Sequence, residues 1–136
     1  RTIHAGTYNG ISIGLAAAKA TLDILSEPGV YDTMREHGLQ IRKHLEESAA
    51  RNGQPMVTCG AGTVFSMHFG LEQPPRNYSD VIHADDETFR RFQADMLDQL
   101  VYLLPDGRWY VGTRHDATAL ELALQAIDES MRALAQ

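Results

Sequence analysis

MVTCGAGTVFSMHF, Met56 to Phe69, is where the hydrophobic rhythm of this chain changes. Upstream of it apolar residues recur every three or four positions. Within it they alternate. Met56 to Cys59 reads as a short strand, and Gly60 to Gly62 as a turn. Phe65, Met67 and Phe69 then alternate with Val64, Ser66 and His68, which is the period of a strand with two different faces. Two such runs across a glycine turn predict an antiparallel pair.

The segments on either side read as helices. Tyr31, Met34, Gly38, Ile41 and Leu45 lie on one helical face, with Arg35, Glu36, Arg42, Lys43, Glu46 and Glu47 mostly opposite. The NGQP stretch, Asn52 to Pro55, ends this helix. Before it, Ile11, Leu15, Ala18, Leu22 and Leu25 make one stripe, and Ile13, Ala17, Ala20 and Ile24 make a second. A helix apolar around so much of its circumference is expected to be buried. EPG, Glu27 to Gly29, breaks it.

Downstream, GLEQPPRNYSD (Gly70 to Asp80) has no period and reads as a loop. Asp85 or Asp86 can cap a helix whose buried face is Phe89, Phe92, Met96 and Leu100. VYLLP, Asp106-Gly107 and RWYVGT read as strand, turn and strand. Asp116 caps a last helix with the stripe Leu120, Leu124, Ile127, Met131 and Leu134. The predicted order is α-α-β-β-α-β-β-α. Without strict βαβ alternation the class is α+β, a small antiparallel sheet covered by helices.

Composition narrows the function. The chain has 136 residues, 43% hydrophobic and 22% charged, with a formal net charge of −6. That balance argues against a nucleic-acid surface, which needs a basic stripe. No apolar run approaches the roughly 20 residues of a membrane span. The single cysteine, Cys59, excludes an intrachain disulfide and suits a reducing cytoplasm. Cys59 is expected to be a small buried residue and His68 a packed or hydrogen-bonded one. The six histidines show no ligand spacing, so no metal site is expected. The chain opens on Arg1 rather than Met, which reads as a piece of something longer.

HAGTYNG, His4 to Gly10, has two readings. Gly6 removes bulk beside Thr7, whose hydroxyl and N–H sit just ahead of a helix start that favours an anion. That is suitable chemistry for a phosphate. Alternatively Thr7 or Asn9 caps the helix and Asn9-Gly10 makes a turn. Spacing alone favours the cap.

HAGTYNG and its alanine-rich helix resemble the class-III aminotransferases, pyridoxal-phosphate enzymes of fold type I, in particular the glutamate-1-semialdehyde aminomutase branch and its aminotransferase relatives. The resemblance continues in order through EPGVYDTMREHGLQIRKHLEE, GAGTVFSMHF, NYSDVIHADDETFRRFQADMLDQLVYLLP and RWYVGTRHDATALELALQAIDES. It implies a C-terminal portion. Residues 1–28 would end the large domain and link it onward, and 29–136 would form the small domain. It also implies a homodimer in which Gly6 and Thr7 reach the cofactor phosphate held by the other subunit. The Schiff-base lysine would lie upstream of this chain. The two lysines present, Lys19 and Lys43, read as surface residues.

Arg108 and Arg114 flank the RWYVGT strand. A forked guanidinium binds a carboxylate well, and small-domain residues of such enzymes often do so; Arg108 at the turn is the candidate substrate contact, with a solvated surface arginine as the alternative. The pattern departs from the family at Gly10 to Ser12, which lacks a proline, and at His115-Asp116. PDGRWY is shorter than the aminomutase stretch and lacks its glutamate, which favours an aminotransferase over an aminomutase. A decarboxylase and a non-catalytic dimerisation or binding module stay open.

Overall fold

The glycine turn does close an antiparallel pair. In the computed structural model, which describes residues 5–136, β1 (Met56–Gly60) pairs with β2 (Val64–Phe69) in the register Met56 to Phe69, Thr58 to Met67 and Gly60 to Phe65. The chain divides into two compact units, Arg1–Asp32 and Thr33–Gln136.

The first unit holds a turn and α1 (Ser12–Leu25). The helix is as expected; its environment is not. No residue of α1 is buried, and Ile13 is 76% exposed. The apolar stripes decide that the segment is helical but not what covers it. Tyr31, expected on the buried face of α2 (Val30–Arg51), is also exposed, because that face becomes buried only from Gly38 onward.

In the second unit α2, α4 (Asp86–Asp98) and α5 (Ala117–Leu134) contribute buried residues to one core. Leu45, Phe65, Met67, Phe69, Phe92, Met96, Ile127 and Met131 form its fully buried centre. Phe69 meets Phe92 edge-on at 5.6 Å between centroids, and Phe65 stacks on Trp109 at 5.7 Å. Gly38 has a specific reason: a Cβ there would lie 1.6 Å from the Gly62 carbonyl oxygen. The GAG turn is thus also the surface on which α2 sits closely.

Three expectations need correction. VYLLP is not a strand. Gln99 ends α4, and Leu100 adopts the left-handed conformation at φ 63°. Leu100 N–H then donates to Leu97 O, and Val101 N–H to Met96 O. This is the Schellman termination with leucine in the place glycine usually takes. It turns Leu100 out of the core face, to 93% exposure. The Leu103 carbonyl accepts from Gln93 Nε2 at 2.9 Å, and Pro105 has no donor, so the segment has little left for a ladder. The third strand, β3 (Arg108–Tyr110), pairs instead with β2, giving the order β1-β2-β3.

The stretch read as loop ends in a one-turn helix, α3 (Tyr78–Val81). A capping box forms it, with Asn77 Oδ1 accepting from Ser79 N–H and Asp80 Oδ2 from Asn77 N–H. Cys59 is half-buried rather than buried, since it lies on the sheet face away from the core. Asp85 and Asp116 do cap α4 and α5 through bonds of 3.0 Å to Thr88 and Ala119 N–H.

Candidate functional site

Alternation gives the sheet a second face. Phe65, Met67, Phe69, Thr58 and Trp109 point into the core, so Cys59, Ser66, His68, Arg108 and Tyr110 point out. Antiparallel register then sets neighbours: Cys59 opposes Ser66, and Ser66 opposes Arg108. One row across three strands therefore carries a thiol, a hydroxyl and a guanidinium.

Arg108 is not a free surface arginine. Asp106, two residues earlier at the Asp-Gly turn, holds it: Nε and a terminal nitrogen lie 2.7 and 2.5 Å from Asp106 Oδ2. Another terminal nitrogen donates to the Tyr110 hydroxyl at 3.2 Å. The hydrogen bond from Arg108 holds the Asp106 carboxyl below the usual carboxylate range. Ser66 Oγ and His68 Nε2, two residues apart on β2, share a hydrogen bond of 2.9 Å. Burial lowers the His68 pKa, favouring the neutral ring. The expectation of a hydrogen-bonded His68 holds. Ser66, His68, Asp106 and Arg108 line an open pocket of about 340 Å³ together with Pro75, Arg76, Asn77 and Val81. A larger apolar pocket of about 510 Å³ opens beside Arg108, between Tyr102, Tyr110, Leu120 and His37.

Gly6 and Thr7 belong to the first unit, and Arg108 to the second. His4 lies outside the described residues. From Thr7 to Gly10 the chain turns, with Asn9 N–H donating to Gly6 O at 3.0 Å and Gly10 at φ 80°. The N-cap of α1 is Ile11, without a side-chain cap bond and without an acid in the first turn. Neither Thr7 nor Asn9 caps the helix, so the plain capping reading is not realised. Thr7 is exposed and hydrogen-bonds to nothing among the described residues. Both lysines are surface residues, as expected: Lys19 pairs with Asp23 at 2.6 Å and Lys43 with Glu47 at 3.7 Å, each 76% exposed.

No family model matches the chain. Solved structures do match it, over almost its whole length. A β-phenylalanine aminotransferase from Variovorax paradoxus matches 95% of the chain at 23% identity and TM-score 0.81. An omega-transaminase from Sphaerobacter thermophilus matches 98% at 20% identity and TM-score 0.83. A glutamate-1-semialdehyde aminomutase from Pseudomonas aeruginosa matches 98% at 20% identity and TM-score 0.82. The fold is shared with these proteins. The chain spans 30%, 30% and 31% of their respective lengths.

Sequence reasoning singled out Arg108 but not Asp106, Arg76 or Tyr110 beside it. The Asp106 clamp has a signal, an acid two residues before an arginine across a glycine. Arg76 has none, because it lies in an aperiodic loop whose path only the tertiary structure sets.

Proposed function

We propose that this chain is the C-terminal part of a pyridoxal-phosphate-dependent class-III aminotransferase, moving an amino group between an amino acid or amine and a keto acid or aldehyde. The observation that carries the reading is the shared fold with two aminotransferases and an aminomutase over at least 95% of the chain. Residues 1–28 are the end of the large domain and 29–136 the small domain. The protein acts as a cytoplasmic homodimer; among the described residues no helix is long and apolar enough to cross a membrane.

Pyridoxal phosphate, when bound, supplies the electron sink for chemistry at the substrate α-carbon. The lysine that tethers it belongs to sequence upstream of this chain. What this chain contributes is binding. Thr7, whose hydroxyl and N–H have no partner among the described residues, stands ahead of a helix without a side-chain cap and fits a phosphate; Gly6 keeps the approach open. Each such charge-assisted hydrogen bond contributes on the order of 1.5–3 kcal/mol. Arg108, pre-oriented by Asp106, binds the carboxylate of the amino or keto acid. PDGRWY is shorter than the aminomutase stretch and lacks its glutamate, which favours the aminotransferase over the aminomutase.

In the intact protein, Thr7→Ala is expected to lower retention of pyridoxal phosphate in gel filtration about tenfold or more. Unchanged retention removes Thr7 from the phosphate site. If the intact protein binds no pyridoxal phosphate at all, the non-catalytic module replaces the enzyme reading.

A further inference from the structure

We infer that the outer edge of β3, with the apolar pocket beside it, is a strand-addition site whose occupant is an extended segment of the same polypeptide from upstream of Arg1. The inference rests on the reading of this chain as part of a longer protein, and not on transamination.

Backbone accounting comes first. β3 is an edge strand, paired with β2 on one side. Gly107 O accepts from Met67 N–H at 3.1 Å, and Val111 N–H donates to Thr63 O at 2.9 Å. Bonded residues alternate along an antiparallel strand, so Trp109 also faces β2, while Arg108 and Tyr110 turn their backbone groups to the open side. Arg108 N–H is held by Asp106 Oδ1 at 3.2 Å. Among the described residues, Tyr110 N–H and the Arg108 and Tyr110 carbonyls have no partner. A row of such groups is a template for another strand.

The open side is also apolar. Gly107 N–H closes the turn onto Leu104 O at 3.1 Å, but among the described residues no backbone hydrogen bond joins residues 101–103 to β3. The two arms of this unzipped hairpin line one pocket of about 510 Å³, with Leu120 and Leu122 of α5 beside them. Tyr102 at 71% and Leu122 at 59% exposure leave apolar surface there for side chains of an added strand. Unpaired backbone groups next to side-chain pockets are the two elements of strand addition.

The occupant follows from length and charge. The chain spans about 30% of the lengths of the aminotransferases it matches, so on the reading above most of the protein precedes it. A tethered segment acts at high effective concentration and needs only the few bonds this short edge offers. The pocket lining carries Arg108 and no acid, which disfavours an inward-pointing lysine or arginine on the segment. A second copy fits poorly: pairing two β3 edges would take Arg108 N–H from Asp106 and bring two Arg108 guanidinium groups together.

The test uses the intact protein, upstream sequence included. In residue-resolved hydrogen exchange, the Tyr110 amide is expected to exchange about a hundredfold or more slower than a solvated amide. Leu122→Asp is expected to reduce that protection about tenfold or more, by setting a charge against the added strand. The Val111 amide, bonded within the sheet, is expected to stay protected and reports that the domain is still folded. A photo-crosslinker in place of Tyr102, in otherwise unchanged protein, is expected to capture a peptide from upstream of Arg1 within the same molecule. Free exchange at Tyr110, protection indifferent to Leu122→Asp with Val111 still protected, or capture of a second copy in mixed light and heavy protein each overturns the proposal. Should Val111 also lose protection in the variant, the crosslink decides: no upstream peptide overturns the proposal. Capture of an upstream peptide in a protein that never binds pyridoxal phosphate keeps the strand site and removes the aminotransferase.

Discussion

α1 and α5 look alike in sequence and differ in the fold. Both are rich in alanine and leucine, and both carry apolar residues at steps of three and four. α5 buries Ala126, Ile127, Ser130, Met131 and Leu134; α1 buries nothing. α5 has an Asp116 cap and an ion pair to a distant helix, whereas α1 has no side-chain cap and an Asp23–Lys19 pair within itself. Periodicity therefore reports that a segment is helical, while burial reports the presence of a surface opposite it. In the reading proposed above, α1 finds that surface outside this chain.

The strongest way to break the comparison is truncation at equivalent-looking positions. Ile127→Ala removes a side chain with no exposure and is expected to cost about 2–5 kcal/mol in urea unfolding. Leu22→Ala, at 62% exposure, is expected to cost under about 0.5 kcal/mol in this chain. A large effect at Leu22 would mean that α1 buries its stripe in solution, for instance by self-association through exposed apolar surface.

A smaller effect sharpens the contrast in polar ties. Asp128 of α5 accepts from Ser48 Oγ at 2.6 Å and from an Arg51 guanidinium nitrogen at 2.8 Å, both on α2. His44 Nε2 lies 3.1 Å from the same oxygen, off the angle of a hydrogen bond. Burial tends to raise the Asp128 pKa, but Ser48, His44 and Arg51 together bring it below 3.8. Its folded value is thus depressed, so the stabilisation is present above the unfolded value of about 3.8 and is lost as pH falls through the folded one. Asp128→Ala is expected to cost about 1–2 kcal/mol near neutral pH and progressively less in acid. An equal cost at all pH values would show that packing, not charge, ties α5 to α2.

The helix starts give the next step down. Asp116→Ala is expected to cost about 1 kcal/mol, and Ile11→Asp to add a few tenths of a kcal/mol of helix stability by supplying α1 with the cap it lacks. In the intact protein the Ile11→Asp carboxylate would compete with a phosphate for the same amides and weaken cofactor retention. Smallest of all is Lys19→Ala, about 0.3 kcal/mol, because its i,i+4 pair is exposed. Circular dichroism of thermal unfolding checks all three.

His68 tests the other face of the sheet. Its folded pKa is depressed by burial, so the folded state favours the neutral ring. Stability is full above the unfolded value of 6.5 and falls as pH drops through the folded value. His68→Gln is expected to flatten that part of the pH–stability curve; an unchanged curve would mean that the ring is solvated in both states.

Local rules made much of this protein legible. The period change at Met56 to Phe69 marked the hairpin, and the aspartates at 85 and 116 marked two helix starts. Short-range chemistry is sufficient for these, because strand alternation and capping involve residues within a few positions of one another. Arg108 could be named from its place on a strand beside a turn. Leu100 and VYLLP could not be read correctly, because a leucine in the left-handed region carries no sequence mark; the bonds that conformation permits run from Leu100 N–H to Leu97 O and from Val101 N–H to Met96 O.

The sequence by itself determined which segments are helical, where most of them stop, that the class is α+β, and which family the ordered motifs resemble. Only the tertiary structure decided that the third strand joins β2 and that Arg76 meets Arg108 in one pocket. It also decided that α5 is buried and α1 is not. The physical reason is range: propensity and capping act over one turn of chain, whereas burial and convergence depend on which distant surface arrives opposite.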